Sequence, residues 1–221
     1  MITTVDVETS WQVTDTGGYD PSPYHPDNIL VSVGINDEYY FTNHSERIDD
    51  GCYHNIQSRL DKTTLLVGHN IKFDLMWLIE AGFKYTGKVY DTMLGEYILN
   101  RGIRKSLTLE MSCRRRRIGS KDSRIKEFTD RGIPFQNIPS GLVEEYGRMD
   151  VQITRDLFNS QMADFRMPKN KHLLMTAKMM NEFLIVLSDM EANGININLE
   201  ELSKVEKEYR AEFAYLKQKI D

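Results

Sequence analysis

The stretch Met1-Ile2-Thr3-Thr4-Val5-Asp6-Val7-Glu8-Thr9 predicts the central strand of the fold. Successive side chains of a strand point to opposite faces, so Asp6 and Glu8 share one face while Val5 and Val7 share the other. Such an apolar strand should lie in the middle of a sheet, where solvated charge is rare. Two carboxylates side by side at its end therefore indicate a functional site.

The Asp-x-Glu pattern alone is weak evidence, because ordinary composition produces about one copy by chance in a chain of this length. A second copy, Asp189-Met190-Glu191, falls in a predicted helix and is interpreted as structural. The position of the first copy at the end of a central strand is what distinguishes it.

The rest of the chain indicates an α/β or mixed-sheet domain, because strands come first and then alternate with helices. Strands are predicted at 29–35, 38–42, 64–68 and 89–90, with Asn36-Asp37 as a hairpin turn. Helices are predicted at 46–60, 72–81, 92–99 and 142–162. Residues 10–28 are predicted to be loop, and residues 101–140 are less regular.

The character of the chain changes after Pro168. Residues 171–192 predict a very apolar helix, and Asn198-Leu199-Glu200-Glu201 resembles a capping box that begins another. An apolar stripe follows on this last helix, made of Leu202, Val205, Tyr209, Leu216 and Ile220. Either the stripe folds back on the core or, as we favour, the chain is a piece of a larger or split protein. We predict two domains, 1–168 and 169–221.

Composition excludes several classes of protein. The 221 residues are 40% hydrophobic and 28% charged, which is typical of soluble globular proteins. No apolar run approaches the length of a membrane span, and residues 1–7 show no basic-then-apolar signal pattern. The two cysteines, Cys52 and Cys113, are far apart and favour a reducing compartment, so we expect a cytoplasmic location in a bacterium or an infected host cell. The net charge of −5 argues against electrostatic coating of duplex DNA. It does not exclude a nucleic-acid enzyme whose acids bind metal.

Asp74 follows the predicted strand 64–68 at the start of a helix that is apolar almost all round. A favourable interaction with the helix dipole is the alternative reason for an acid at this position. We interpret Asp74 as an inward-facing acid, in the second acidic segment of the chain.

Tyr146 and Asp150 fall on one stripe of helix 142–162, together with Ile153 and Leu157. The stripe is the predicted buried face, so Asp150 is an acid that points inward. A buried acid needs a partner or a metal.

Four inward acids at one site would repel one another strongly unless they were protonated or bound to metal. Oxygen ligands, with no His/Cys cluster of zinc spacing, favour Mg²⁺ or Mn²⁺. Two such ions about 4 Å apart are a standard means of cleaving a phosphodiester. A nearby Tyr can position the attacking water through a hydrogen bond.

Three motifs in this order resemble the exonuclease motifs of the DnaQ-like, or DEDD, superfamily: Val5-Asp6-Val7-Glu8-Thr9, Asn70-x-x-x-Asp74 and Tyr146-x-x-x-Asp150. The Tyr indicates the DEDDy branch. The DEDDh branch has a His five residues before the last Asp, where this chain has Glu145.

The sequence between these motifs, including residues 66–74 and Asp91-Thr92-Met93, is similar to a known proofreading domain. It is the domain found in family A (DNA polymerase I-like) polymerases, especially those of phages. The resemblance covers residues 1–165, and residues 183–197 resemble the segment that leads into a polymerase thumb. It implies a ribonuclease H-like fold, a five-stranded mixed sheet flanked by helices, with the C-terminal helices added.

The resemblance also implies roles for individual residues. Four acids are the implied ligands of two Mg²⁺ or Mn²⁺ ions. Asp6 bridges both ions. Glu8 and Asp150 complete the first metal site, and Asp74 holds the second ion. Tyr146 orients the attacking water. The terminal nucleotide is contacted by Asn70, Phe73 and the region of Thr9.

The implied activity is 3′→5′ removal of nucleoside monophosphates from single-stranded or frayed DNA 3′ ends. Polymerase activity is not expected in this chain, and a polymerase domain or subunit is the expected partner of the C-terminal helices.

Several alternatives remain open from the sequence. The same motifs occur in RNA exonucleases of the ribonuclease D type, and a catalytically idle domain that docks on a polymerase is a non-enzymatic alternative. Trp11, Tyr19 and Tyr24 either stack on single-stranded bases or pack their own loop. The basic run Arg114–Arg117 either grips phosphates or is a solvated face.

Overall fold

A computed structural model describes residues 1–119 and 124–220. The strands within this part are β1 (Ile2–Thr9), β2 (Gln12–Val13), β3 (Tyr19–Asp20), β4 (Leu30–Ile35), β5 (Glu38–Phe41), β6 (Leu65–Gly68) and β7 (Lys88–Asp91). Five of them form a mixed sheet in the order β5-β4-β1-β6-β7. β1 is central: it runs antiparallel to β4 and parallel to β6. The predicted five-stranded mixed sheet is confirmed.

The helices of the described part are α1 (Cys52–Asp61), α2 (Ile71–Glu80), α3 (Thr92–Leu99), α4 (Leu109–Arg116), α5 (Arg124–Thr129), α6 (Ser140–Arg166), α7 (Leu173–Asn193) and α8 (Leu199–Ile220). A 3₁₀ turn at Phe135–Asn137 precedes α6. α1 begins later than the predicted residue 46, after Gly51 in the left-handed conformation (φ 66°). α4 and α5 lie in the segment that the sequence indicated only as less regular.

Helices cover both faces of the sheet. Val5, Val7 and Leu66 pack against apolar side chains of α1 and α2 on one face. The long helix α6 covers the other face and contacts β1, β4, β5 and β6. The face of β1 that carries Asp6 and Glu8 therefore lies under α6, which carries Tyr146 and Asp150.

Two glycines allow this close approach of α6 to the sheet. Gly34 of β4 lies opposite Asp6, and a Cβ atom on Gly34 would lie 2.7 Å from Cγ2 of Val151. On α6 itself, a Cβ atom on Gly147 would overlap the buried ring of Tyr39. Larger residues at either position would separate the helix from the strand that holds the first two acids.

We expect Gly34→Ala to lower the free energy of unfolding by about 1–3 kcal/mol, because the new methyl group meets the stiff, fully buried Val151 side chain. Urea denaturation measures the change. The control is the double variant with Val151→Ala, which makes room for the methyl group. Its loss should be smaller than the sum of the two single losses; strictly additive losses would contradict the steric explanation.

The chain divides into two compact units, Met1–Ser188 and the part from Asp189 onward. Residues 169–188 thus lie in the first unit, and the domain division after residue 168 stays a prediction. Within the second unit, the Asn198 side chain accepts hydrogen bonds from the backbone N–H groups of Glu200 and Glu201 and caps α8. In the described part of the chain, no helix has both the length and the apolar character needed to cross a bilayer.

Candidate active site

Three carboxylates converge where β1 meets α6. One oxygen of each of Asp6, Glu8 and Asp150 lies within 4.8 Å of the other two. Glu8 and Asp150 are buried, at 7% and 2% exposure, and Asp6 is half-buried. Like charges this close repel strongly in a partly desolvated site, so a cation would stabilise the cluster. An all-oxygen donor set is the kind that hard divalent cations such as Mg²⁺ and Mn²⁺ prefer.

Asp74 stands beside this cluster rather than within it. β1 pairs with β6 only as far as Thr4, and farther along β1 the backbone N–H of Val7 donates to Oδ1 of Asp74 at 3.0 Å. Burial, and next the charge of Asp6, raise the pKa of Asp74 well above its usual value, while the Val7 hydrogen bond lowers it. Asp74 is therefore held against the strand that carries the first two acids.

Asp91 organises the N-terminus of α2, a role that the sequence analysis missed. Its Oδ1 accepts from the backbone N–H of Asn70 at 2.9 Å and from that of Met93 at 2.7 Å. Asn70 is left-handed (φ 64°), and its backbone bond to Asp91 supports this conformation. Burial raises the pKa of Asp91, which is 1% exposed. The available signal was an acid directly after the short strand at Val89-Tyr90.

The residues predicted to contact substrate differ in exposure. Asn70 is exposed at the N-terminus of α2, and Phe73 is half-buried one turn later. Thr9 is buried, next to an irregularity in the β1–β4 pairing at Glu8/Thr9. Tyr146 is half-buried, one turn before Asp150 on α6, with its ring centroid 6.0 Å from that of Phe135.

Two arginines of the basic run are structural. Arg116 contacts the buried Glu96 of α3 at 2.8 Å and Asp164 of α6 at 2.6 Å. Arg115 contacts Glu96 at 3.3 Å. They join α3, α4 and α6, a role that neither sequence interpretation anticipated, whereas Arg114 and Arg117 are exposed.

The loop at residues 10–28 contains the short β2–β3 hairpin. Trp11 and Tyr19 contact each other, with ring centroids 5.6 Å apart. Tyr24 instead lines a cavity of about 310 Å³ together with Tyr53 and Trp77. The three aromatic residues therefore do not form one surface.

A family model described as 3′-5′ exonuclease matches residues 14–163. The chain belongs to this exonuclease family. The matched range includes Asp74, Tyr146 and Asp150, whereas Asp6 and Glu8 precede it. The geometry of β1 and α6 is what associates those two acids with the other motifs.

One sequence relative supports the polymerase I-like assignment. DNA polymerase I of Borreliella burgdorferi is 27% identical over 137 residues, which is 62% of this chain. The chain spans only 14% of that polymerase's length. With the family match, this confirms the predicted relation to the exonuclease domain of family A polymerases.

Two solved structures show how widely the fold is shared. The POL domain of Pol1 from M. smegmatis, in complex with DNA primer-template and dNTP, matches with a TM-score of 0.64 and 15% identity, over 94% of this chain and 32% of that one. Brucella melitensis NrnC bound to pGG matches with a TM-score of 0.62 and 20% identity, over 87% and 85%. The ribonuclease H-like fold predicted from the sequence is confirmed.

Proposed function

We propose that this exonuclease removes nucleoside monophosphates from single-stranded or frayed DNA 3′ ends and serves the proofreading of DNA replication. The observation that carries the proposal is the convergence of Asp6, Glu8 and Asp150 in a chain of this family. The polymerase I relative supports DNA as the substrate. A polymerase domain or subunit is the proposed partner of the C-terminal helices.

In the proposed mechanism the four acids bind two divalent cations, Mg²⁺ or Mn²⁺. Asp6, Glu8 and Asp150 would hold one ion, and Asp74 would help to hold the other. When bound, the ions supply activation of the attacking water and stabilisation of charge on the leaving oxygen. Burial, and next the charge of Asp6, raise the pKa of Asp74, so cation binding should weaken as the pH falls.

The remaining site residues are proposed to position the reactants. Tyr146 holds the attacking water by a hydrogen bond, in keeping with its place one turn before Asp150. Asn70 and Phe73 contact the terminal nucleotide from the exposed N-terminus of α2. Thr9 is buried, so it contributes through its backbone at the irregularity beside Glu8.

Digestion of end-labelled oligonucleotides tests the proposal. With Mg²⁺, a 3′-labelled DNA strand should release its label at once as a mononucleotide, while a 5′-labelled strand shortens stepwise. EDTA should stop both reactions, and Asp150→Ala is the matched inactive control. Release of label first from the 5′ end, or digestion that continues in EDTA, would contradict the proposal.

RNA is the second candidate substrate, because Brucella melitensis NrnC, a chain of similar length solved bound to pGG, shares the fold. DNA and RNA strands of identical sequence, digested in parallel, distinguish the candidates. A clear preference for RNA would favour the ribonuclease D-like alternative. Absence of 3′ trimming on either strand with Mn²⁺ would favour a non-catalytic docking domain.

A further inference from the structure

Four aromatic rings form a continuous line from Tyr146 of α6 to the surface. The centroid of Tyr146 lies 6.0 Å from that of Phe135, Phe135 lies 5.9 Å from Trp11, and Trp11 lies 5.6 Å from Tyr19. We call these four residues the aromatic ladder. Its outer ring, Tyr19, is 56% exposed. The ladder joins an accessible aromatic ring to the helix that carries Asp150.

The outer half of the ladder belongs to an ordered hairpin. Val13 pairs with Tyr19 across β2 and β3. The turn is closed by a 2.9 Å bond from the Thr14 N–H to the Gly18 carbonyl and by a 2.8 Å bond from the Gly17 N–H to the Thr14 carbonyl. The Asn28 side chain then donates to the carbonyl of Asp20 at 2.9 Å. The Tyr19 ring is therefore presented on a fixed backbone.

The chemistry of this loop favours bases over phosphates. Residues 10–28 contain no Lys or Arg and include Asp15, Asp20 and Asp27. Such a segment has no cation with which to hold a phosphate. An aromatic ring can nevertheless stack on any base, whatever the sequence.

We propose that the aromatic ladder stacks on the bases upstream of the 3′-terminal nucleotide of a single strand. This inference rests on the proposed function, because Tyr146 marks the end at which the terminal nucleotide is cleaved. Continuity with Tyr146 is what identifies the occupant as the same strand. Tyr19 lies three rings from Tyr146, so the base that meets it belongs to an upstream nucleotide. A dinucleotide would leave Tyr19 unoccupied, whereas a longer strand would reach it.

The test measures binding in EDTA, where cleavage cannot occur, with fluorescent oligo-dT of two and of about ten nucleotides. Tyr19→Ala should weaken binding of the longer strand about tenfold and change dinucleotide binding far less. Tyr19→Phe should keep the wild-type affinity. Tyr24→Ala, in the same loop but lining a separate cavity, is the matched control and should behave like wild type.

Salt separates stacking from a charge effect. The tenfold loss should be the same at about 50 and about 200 mM salt, because Tyr19→Ala removes no cation from the strand. Three results would each contradict the proposed stacking. They are equal weakening of binding for both strand lengths in Tyr19→Ala, no weakening at all, and wild-type binding that does not depend on strand length.

The cleavage assay of the wild type reports separately on the proposed function. A protein that fails to cleave but shows Tyr19-dependent binding would refute the enzymatic proposal and leave the ladder standing. A protein that cleaves 3′ ends but shows none of the Tyr19 effects would support the enzymatic proposal and refute the stacking role of the ladder.

Discussion

Cleavage should fall at least about 1,000-fold in Asp150→Asn but only about 10- to 100-fold in Tyr146→Phe. Asp150 is buried and converges with Asp6 and Glu8, so its replacement removes one charge and one proposed metal ligand while nearly preserving the size of the side chain. Tyr146→Phe removes only a hydroxyl group. Its ring still packs against Phe135, and the carboxylate cluster is unchanged.

Two measurements separate these roles. Single-turnover cleavage at saturating Mg²⁺ gives the rate, and Mn²⁺ titration without DNA gives the affinity for metal. Asp150→Asn should lower both, whereas Tyr146→Phe should lower only the rate. Equal loss of Mn²⁺ affinity in the two variants would undo the proposed division between a metal ligand and a water-positioning residue.

The sequence predicted the acids of β1 because the relevant geometry is local. A strand of alternating side chains places Asp6 and Glu8 on one face whatever surrounds it. The second Asp-x-Glu copy shows why the backbone matters. Asp189 and Glu191 lie on α7, both exposed, and belong to no group of converging acids in the described part of the chain.

Contacts between distant elements were beyond the reach of sequence patterns. The pairing of Arg115 and Arg116 with Glu96 depends on how α4 packs against α3. α4 is short and polar, so tertiary contacts rather than its own pattern stabilise it. A run of four arginines looks the same in sequence whether its members are paired or solvated.

The close packing of α6 against the sheet could not be predicted from the sequence either. Gly34 and Gly147 show no turn signal in the sequence, and their small size matters only because Val151 and Tyr39 lie against them. The bond from Val7 to Asp74 joins residues 67 positions apart, at a point that depends on where β6 ends. Sequence periodicity identifies the elements, and the fit between elements positions the site.

Asp74→Asn should abolish most of the cleavage and yet stabilise the metal-free protein by about 1–2 kcal/mol at neutral pH. Asp74 is 4% exposed, and burial and the Asp6 charge disfavour its ionised form. An Asn side chain keeps an oxygen to accept the Val7 N–H, but it carries no charge. The substitution therefore removes an electrostatic cost of folding together with a proposed metal ligand.

The pH dependence gives the sign of this effect. Below the unfolded-state pKa of about 3.9, Asp74 is protonated in both states and ionisation costs nothing. As the pH rises toward the raised pKa of the folded state, the unfolded chain loses its proton first, so the wild type loses stability. The advantage of Asp74→Asn should therefore be small near pH 4, grow with pH and then level off. Urea denaturation in EDTA across this range measures it, and an advantage that does not change with pH would contradict the electrostatic cause.

Adding Mg²⁺ should reverse the order of stability and make the wild type more stable than Asp74→Asn. A ligand at free concentration c that binds only the folded protein stabilises it by RT ln(1 + c/Kd), and the wild type retains all four acids. Asp74→Asn lacks one of them and should gain less from the same Mg²⁺ concentration. If both proteins gained equally, Asp74 would be a buried acid without a role in metal binding, and the second cation site would have to be sought elsewhere.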